Sequence, residues 1–419
     1  MADVQPLIAL RYDLAVAGEL DDLLAPPYDV IDGAARDALV ARSPHNAVEL
    51  DLPEDPDGGD RYEHAAEKLA EWVGAGVLVN DTEPAIWALE QGYTGPDGES
   101  YTRRGFLARV RVTEYGPGRV RPHERTQPGP KQDRLDLTRA TRHNLSPIFS
   151  LHPGEVWSAI EPALGEPWGE AADADGTTNR IWRVTDRAAI DAATSRLADA
   201  ELLIADGHHR YETARVYADE VDGDGPQDYT LMCLVSLEDA GLTVFGYHRL
   251  LGGFTGTGRP EVLAAALREH FDVEGVDTDD IDPADSEGVG VFGYIDSHNR
   301  RAFRLRLRDT ARLDGLLAGR SEAYRRLDAA ILEELILKEA LGMSAEDVEA
   351  KRGIGYAKSI DEALAAIDDH GDFQVAFLLR PTPVEQVREV AEAGETMPPK
   401  STFFYPKVPT GIVFNPLSR

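Results

Sequence analysis

The stretch that most narrows the folds open to this chain is Glu201-Leu202-Leu203-Ile204-Ala205-Asp206-Gly207-His208-His209-Arg210-Tyr211-Glu212-Thr213-Ala214. Leu202 to Ala205 read as a short buried strand, the chain breaks at Asp206-Gly207, and Tyr211, Ala214, Tyr217 and Val221 resume at helical spacing. A strand, a tight turn and a helix are expected, which places the chain in the α/β (α+β) class. Strands in open α/β sheets commonly deliver ligand residues from their carboxyl ends.

The chemistry of the turn suits an anion. The first N–H groups of a helix have no acceptor within it, and the helix dipole favours negative charge there. Gly207 allows close approach of a ligand to the backbone, and Arg210 carries a fork of donors matched to phosphate or carboxylate. Asp206, Gly207, His208, His209 and Arg210 are therefore candidate phosphate-binding residues. In the plainer alternative the imidazoles fill space and Arg210 pairs with a carboxylate.

Charge limits the partners. The net charge is −32, with 75 acidic residues against 43 basic ones. Seven of the 43 are lysines, which leaves 36 arginines. Such a balance argues against a nucleic-acid surface, so no DNA partner is expected, and self-repulsion on this scale points to a salt-rich, halophilic setting with an acidic surface. No apolar run approaches the roughly 20 residues that span a bilayer, and the N-terminus lacks the features of a signal peptide, so a cytoplasmic protein without a membrane partner is expected. The single cysteine, Cys233, excludes an internal disulfide and any cysteine-rich metal site.

Along the chain, Leu7 to Tyr12 read as a strand, Ala25-Pro26-Pro27-Tyr28-Asp29-Val30-Ile31 as a rigid loop, and Asp32 as the cap of a helix through Arg42. A helix follows Asp60, and a hairpin is expected over 84–92 and 105–112. Residues 165–180 read as an exposed insertion. The spacing predicts long helices capped by Ser321 and Ser359, reaching Leu341 and His370, with Thr382 and Pro383 opening another. The expected division is an α/β core over 1–251, a small α/β subdomain over 252–320, and a helical region with a lysine and aromatic tail over 321–419, packing back on the core.

Two further stretches carry chemistry. His123-Glu124-Arg125-Thr126 offers a proton-transfer group, His123 or Glu124, and Lys131 and Arg134 follow as anion-binding candidates. A solvated polar loop is the bland alternative. The tail Met397-Pro398-Pro399-Lys400-Ser401-Thr402-Phe403-Phe404-Tyr405-Pro406-Lys407 holds two of the seven lysines beside prolines and aromatics. Lys400, Ser401 and Thr402 are candidate phosphate ligands there, unless the segment is simply a docked tail. Lys131 and Lys400 are expected to converge with Arg210.

Taken together, these motifs resemble those of domain of unknown function 1015, a family whose name states no activity. The Asp206-Gly207-His208-His209-Arg210 segment also resembles the phosphate-binding turn of the ParB and sulfiredoxin superfamily, whose free serine kinases carry a similar Asp-Gly-His-x-Arg segment. Asp206, Gly207, His208 and Arg210 match that pattern, and His209 stands at its variable position. The resemblance implies a ParB/sulfiredoxin-like nucleotide-binding core with family-specific N- and C-terminal additions. The absence of the reactive cysteine that a sulfiredoxin reaction requires beside the glycine argues against that reaction.

The function expected is nucleotide-dependent phosphoryl transfer to or from a small hydroxylated metabolite, with free serine or phosphoserine favoured, Glu124 or His123 as catalytic group, and ATP or ADP with Mg2+ as cofactors. The competing reading is a regulatory protein that binds nucleotide without turnover. A weaker one is a metal-dependent hydrolase using His208 and His209, although no metal-ligand spacing is present.

Overall fold

The computed structural model describes residues 2–55, 58–95, 98–124, 128–254 and 256–418. The chain forms two compact units. The first comprises residues up to 122, from 126 to 243 and from 406 onward; the second comprises 244–405 together with His123 and Glu124.

The first unit is built on a mixed nine-stranded sheet. In spatial order its strands are Val120–Arg121, Leu202–Asp206, Ile148–His152, Tyr229–Ser236, Ser100–Arg111, Ile86–Thr94, Thr178–Val184 and Gly169–Ala172, with Val4–Gln5 paired to Ser100–Arg111. Leu202, Ile204, Met232, Leu234, Ile148 and Phe106 share one buried cluster with Ile190, Ala193 and Leu197 of the helix Arg187–Leu197. Each fully buried Leu or Ile contributes about 1.5–3 kcal/mol, so the carboxyl end of the Leu202–Asp206 strand is firmly anchored. A second core, including Tyr12, Leu50, Trp72, Leu137 and Phe414, holds the helices Arg61–Gly74 and Pro128–Thr141.

Several local expectations hold. Asp32 accepts the Ala35 N–H at 2.8 Å and caps Gly33–Arg42, and Asp60 accepts the Tyr62 N–H at 2.8 Å. The strands Ile86–Thr94 and Ser100–Arg111 form the antiparallel hairpin. The supposed insertion at 165–180 instead contains the sheet-edge hairpin of Gly169–Ala172 and Thr178–Val184. Its polar residues hide the pattern because Asn179 is buried to meet Gln91 at 2.8 Å.

The second unit has a six-stranded sheet in the order Phe271–Val276, Ala302–Leu307, Val291–Asp296, Val375–Leu379, His248–Leu251 and Ile354–Ala357, with every pair antiparallel. This overturns the expected boundary at residue 320. The strand Val375–Leu379, from the supposed helical region, lies between two strands of the supposed subdomain. The tail is divided too, since residues from 406 onward belong to the first unit, where Thr410 pairs with Ala25 and Asn415 with Asn144.

The long helix expected after Ser321 is interrupted. Ser321 caps Glu322–Arg325, Leu327 is extended, and a new helix starts at Asp328, whose carboxylate takes the Gly290 N–H at 3.1 Å and Arg380 at 2.7 Å. The chain then widens into a π-helix over Glu333–Ala340. Tyr324, Leu327, Ile331 and Leu335 are nevertheless all buried, because the break preserves their shared side. The helix after Ser359 ends at Ala366, well before His370. Pro383 takes the cap position itself, while the Thr382 hydroxyl donates to the Ser401 carbonyl at 2.9 Å.

His248 gives this unit a pH dependence. Its Nδ1 accepts the Leu379 N–H at 3.2 Å, and burial, followed by the charge of Arg249, pushes its pKa from 6.5 to about 4. The unfolded chain therefore binds the extra proton first, so stability is lost as pH falls from about 6.5 towards 4, by an amount on the order of 3 kcal/mol. Denaturant titrations across that window should show this slope, and His248→Gln should flatten it.

Among the described residues, no helix is long and apolar enough to cross a membrane.

Candidate functional site

The first unit carries the strand–turn–helix element expected from the sequence. Leu202–Asp206 ends in Gly207, whose φ of +94° is left-handed, and the helix His208–Glu220 begins immediately after it. An L side chain at 207 would be strained there, and its Cβ would stand 2.9 Å from the Arg210 Nε. Glycine is therefore required both by the turn and by the guanidinium lying over it.

Arg210 does not extend outward as a free fork. Its Nη2 donates to Asp206 Oδ2 at 2.6 Å, and its Nη1 donates to the Pro147 carbonyl. Nε is buried and has no hydrogen-bond partner among the described residues. Burial works against its charge, but Asp206, Asp29, Tyr28 and Asp51 overcome this and hold its pKa above the usual value. The Pro-Pro-Tyr-Asp loop read from the sequence thus contributes to the field around Arg210. Lys407 completes the group, with its Nζ donating to Asp206 Oδ1 at 2.6 Å. Asp206 consequently holds a cation on each oxygen.

The remaining first-unit candidates divide by environment. His208 is buried and His209 half-buried at the helix start. Lys131 donates to Glu212 Oε2 at 3.1 Å, one turn beyond the motif. Arg134, expected to receive an anion, is instead committed internally. It pairs with Asp133 at 2.5 Å and Asp51 at 3.3 Å, and lies over the Tyr28 ring at 4.1 Å. A cavity of about 30 Å³ touches Asp51, Arg134, Ser146, Arg210 and Thr213. That is room for about a water molecule, not a phosphate, so a ligand would have to be received on the outer side of the turn.

The second unit gathers the proton-transfer candidates with the tail. The Glu124 Oε1 accepts the Lys400 N–H, and Glu124 pairs in parallel with Met397. His123 is fully buried, with its Nε2 hydrogen-bonded to Thr402 Oγ1 at 2.8 Å and its ring edge-on to Phe404. Ser401 and Thr402 are also buried, and the Ser401 hydroxyl donates to the Pro398 carbonyl at 2.6 Å. Of these groups, Glu124 is only partly buried, whereas His123, Ser401 and Thr402 shape the segment from within. Arg125 and Thr126 lie outside the described residues.

Two participants escaped the sequence reading. Lys407 stands out in the sequence only as one of two tail lysines in a chain where lysine is scarce. Arg103, on the strand Ser100–Arg111, is buried, lies over the Phe149 ring at 4.4 Å and reaches Gln91, which in turn donates to the Lys407 carbonyl at 3.0 Å. Burial lowers its pKa to about 10 despite stabilising carboxylates that include Asp206. In the sequence Arg103 stands beside Arg104, just ahead of the apolar run from Gly105, and no local signal marks it as the buried member of the pair.

Among the described residues, no three His, Cys, Asp or Glu side chains are grouped to hold a metal ion.

The description "protein of unknown function (DUF1015)" matches residues 4–330. The chain belongs to the DUF1015 family. The match takes in the loop at 25–31, the stretch from His123 and the Asp206 turn, while the tail motif of this DUF1015 member lies beyond it. No curated protein matches the chain. Among solved structures, it is similar to a conserved hypothetical protein from Pyrococcus furiosus, at 16% identity and a TM-score of 0.37, covering 70% of this chain and 90% of the other. It is also similar to a free serine kinase variant in complex with AMP, at 13% identity and 0.37, covering 70% and 89%. A third, SbnI with a C-terminal truncation from Staphylococcus aureus, gives 11% identity and 0.38, covering 74% and 87%. Scores at this level carry no argument about this DUF1015 chain.

Proposed function

We propose that the chain is a cytoplasmic phosphotransferase of a salt-rich cell, with a ParB/sulfiredoxin-like core that receives the phosphates of ATP or ADP at the Asp206-Gly207-His208-His209-Arg210 turn. The acceptor or donor is a small hydroxylated metabolite, with free serine or phosphoserine favoured. The observation that carries this reading is the left-handed Gly207 at a helix start, roofed by a buried guanidinium whose Nε has no hydrogen-bond partner among the described residues. The helix N–H groups and dipole supply phosphate donors at such a turn, while Lys131 adds positive charge beside its first turns.

Because Asp206, Asp29 and Asp51 balance Arg210, Lys407 and Arg134, affinity would come from oriented N–H groups more than from net charge. Glu124 is assigned as proton acceptor for the substrate hydroxyl, with the Lys400 backbone N–H on its Oε1 and Ser401 and Thr402 shaping that segment. Magnesium normally offsets phosphate charge in such transfers. Both Asp206 oxygens already accept from cations, so this carboxylate does not fit as its ligand, and no step is assigned to the ion.

The complete burial of His123 favours a second reading, a nucleotide-binding regulator without turnover. Incubation of the protein in high salt with serine and ATP or ADP, and with phosphoserine and ADP or AMP, separates the two. Phosphoserine formation or its reversal is expected. Tight nucleotide binding with no transfer to any hydroxylated metabolite leaves the regulatory reading.

A further inference from the structure

Among the described residues, four non-glycine positions have a left-handed backbone, and two of them are lysines, Lys351 and Lys400, with φ of +55° and +58°. The chain contains only seven lysines and 38 glycines. Lys351 follows the helix Ala345–Glu349 at the residue where glycine normally ends a helix. The Arg352 N–H bonds to the Asp347 carbonyl at 2.9 Å and the Lys351 N–H to Val348 at 3.1 Å. Lys400 follows Pro399 in a turn closed by Ser401 and Pro398, another position suited to glycine. In both places a scarce cation stands where backbone sterics favour a residue without a side chain.

Both side chains lie against one tyrosine pair in the second unit. Tyr247 and Tyr356 meet edge-on with ring centres 6.3 Å apart. The Lys400 ammonium lies 5.4 Å from the Tyr247 ring centre, and that of Lys351 lies 5.8 Å from Tyr356. Arg249 lies over Tyr356 at 4.7 Å and is buried. Its guanidinium donates to the carbonyls of Tyr247 at 2.9 Å, Lys400 at 3.0 Å and Pro399 at 3.1 Å, which fixes the turn that presents Lys400. Glu124 secures the same turn through the Lys400 N–H.

We propose that Lys351 and Lys400, backed by Arg249, form a binding site for the phosphate group of a small phosphate-bearing molecule. It rests partly on the proposed function, because Lys400 serves both. Three positive groups near one another suit a ligand carrying two negative charges, as phosphate does near neutral pH, and lysine binds phosphate as a point charge. Partial burial and then the charge of Lys400 lower the Lys351 pKa, with Glu124 opposing them. A bound dianion would relieve that repulsion.

The test titrates inorganic phosphate and, separately, phosphoserine into the full chain and its Lys351→Gly and Lys351→Gln variants in potassium chloride, alongside thermal unfolding and the transfer assay. Lys351→Gly is expected to weaken phosphate binding by about tenfold or more while keeping or raising Tm, since glycine suits the backbone there. Tighter binding of phosphoserine than of inorganic phosphate assigns the site to a monoester; equal affinities assign it to free phosphate. Unchanged affinities in Lys351→Gly, or no binding of either compound by the wild type, overturn the proposal. Transfer activity with Lys351-independent phosphate binding removes this site alone, whereas Lys351-dependent binding without transfer removes only the phosphotransferase reading.

Discussion

Glu124→Gln is expected to lower turnover about 100- to 10,000-fold while leaving nucleotide affinity within about twofold. The contrast follows from what each oxygen does. Glutamine retains an Oε1 that accepts the Lys400 N–H, so the pairing of this segment with the tail should persist. It has no carboxylate to receive a proton from the substrate hydroxyl. His123→Ala should behave differently, because His123 is fully buried between Thr402 and Phe404. Removing it should reduce stability by about 2–3 kcal/mol and affect turnover mainly through folding. Steady-state transfer rates, nucleotide titrations and denaturant midpoints for both variants separate the roles. A Glu124→Gln enzyme of normal turnover would remove Glu124 from the chemistry.

Arg210→Ala is expected to destabilise the fold by about 3 kcal/mol and to weaken nucleotide binding at the same time. A guanidinium pointing only at ligand would leave stability unchanged when removed. Here the truncation leaves Asp206 with one fewer buried cation and the Pro147 carbonyl without its donor. Lys407 remains on the other Asp206 oxygen, which limits the loss. Arg210→Lys should fall between the two, since one ammonium cannot reach both partners as a planar fork does. Urea unfolding measures the stability change, and an unaltered midpoint for Arg210→Ala would contradict the buried pairing.

The element around Asp206 was legible because its signals are local. Apolar strand, glycine at a left-handed turn and helical spacing occur within consecutive residues, and the structure follows them. The destination of Arg210 was not local, since Pro147 comes from a loop 63 positions away. The sequence offers Arg134 as a ligand residue for the same reason: its partners Asp51 and Asp133 and its stacking on Tyr28 depend on how the helices assemble. Periodicity identified the stripe of Tyr324, Leu327, Ile331 and Leu335, but the interruption at Leu327 required the Asp328 pairing with Arg380. The division of the tail between two units was hidden because its aromatic and proline composition is continuous across residue 405.

The central claim is that nucleotide phosphates are received by the backbone of the Gly207 turn. Amide hydrogen exchange with and without saturating ADP measures this directly, in the unmodified protein and in high salt. Slower exchange is expected at the amides of His208, His209 and Arg210 once ADP is bound, with the strand Leu202–Asp206 already protected in both states. Saturation by ADP with unchanged exchange at all three amides would contradict it.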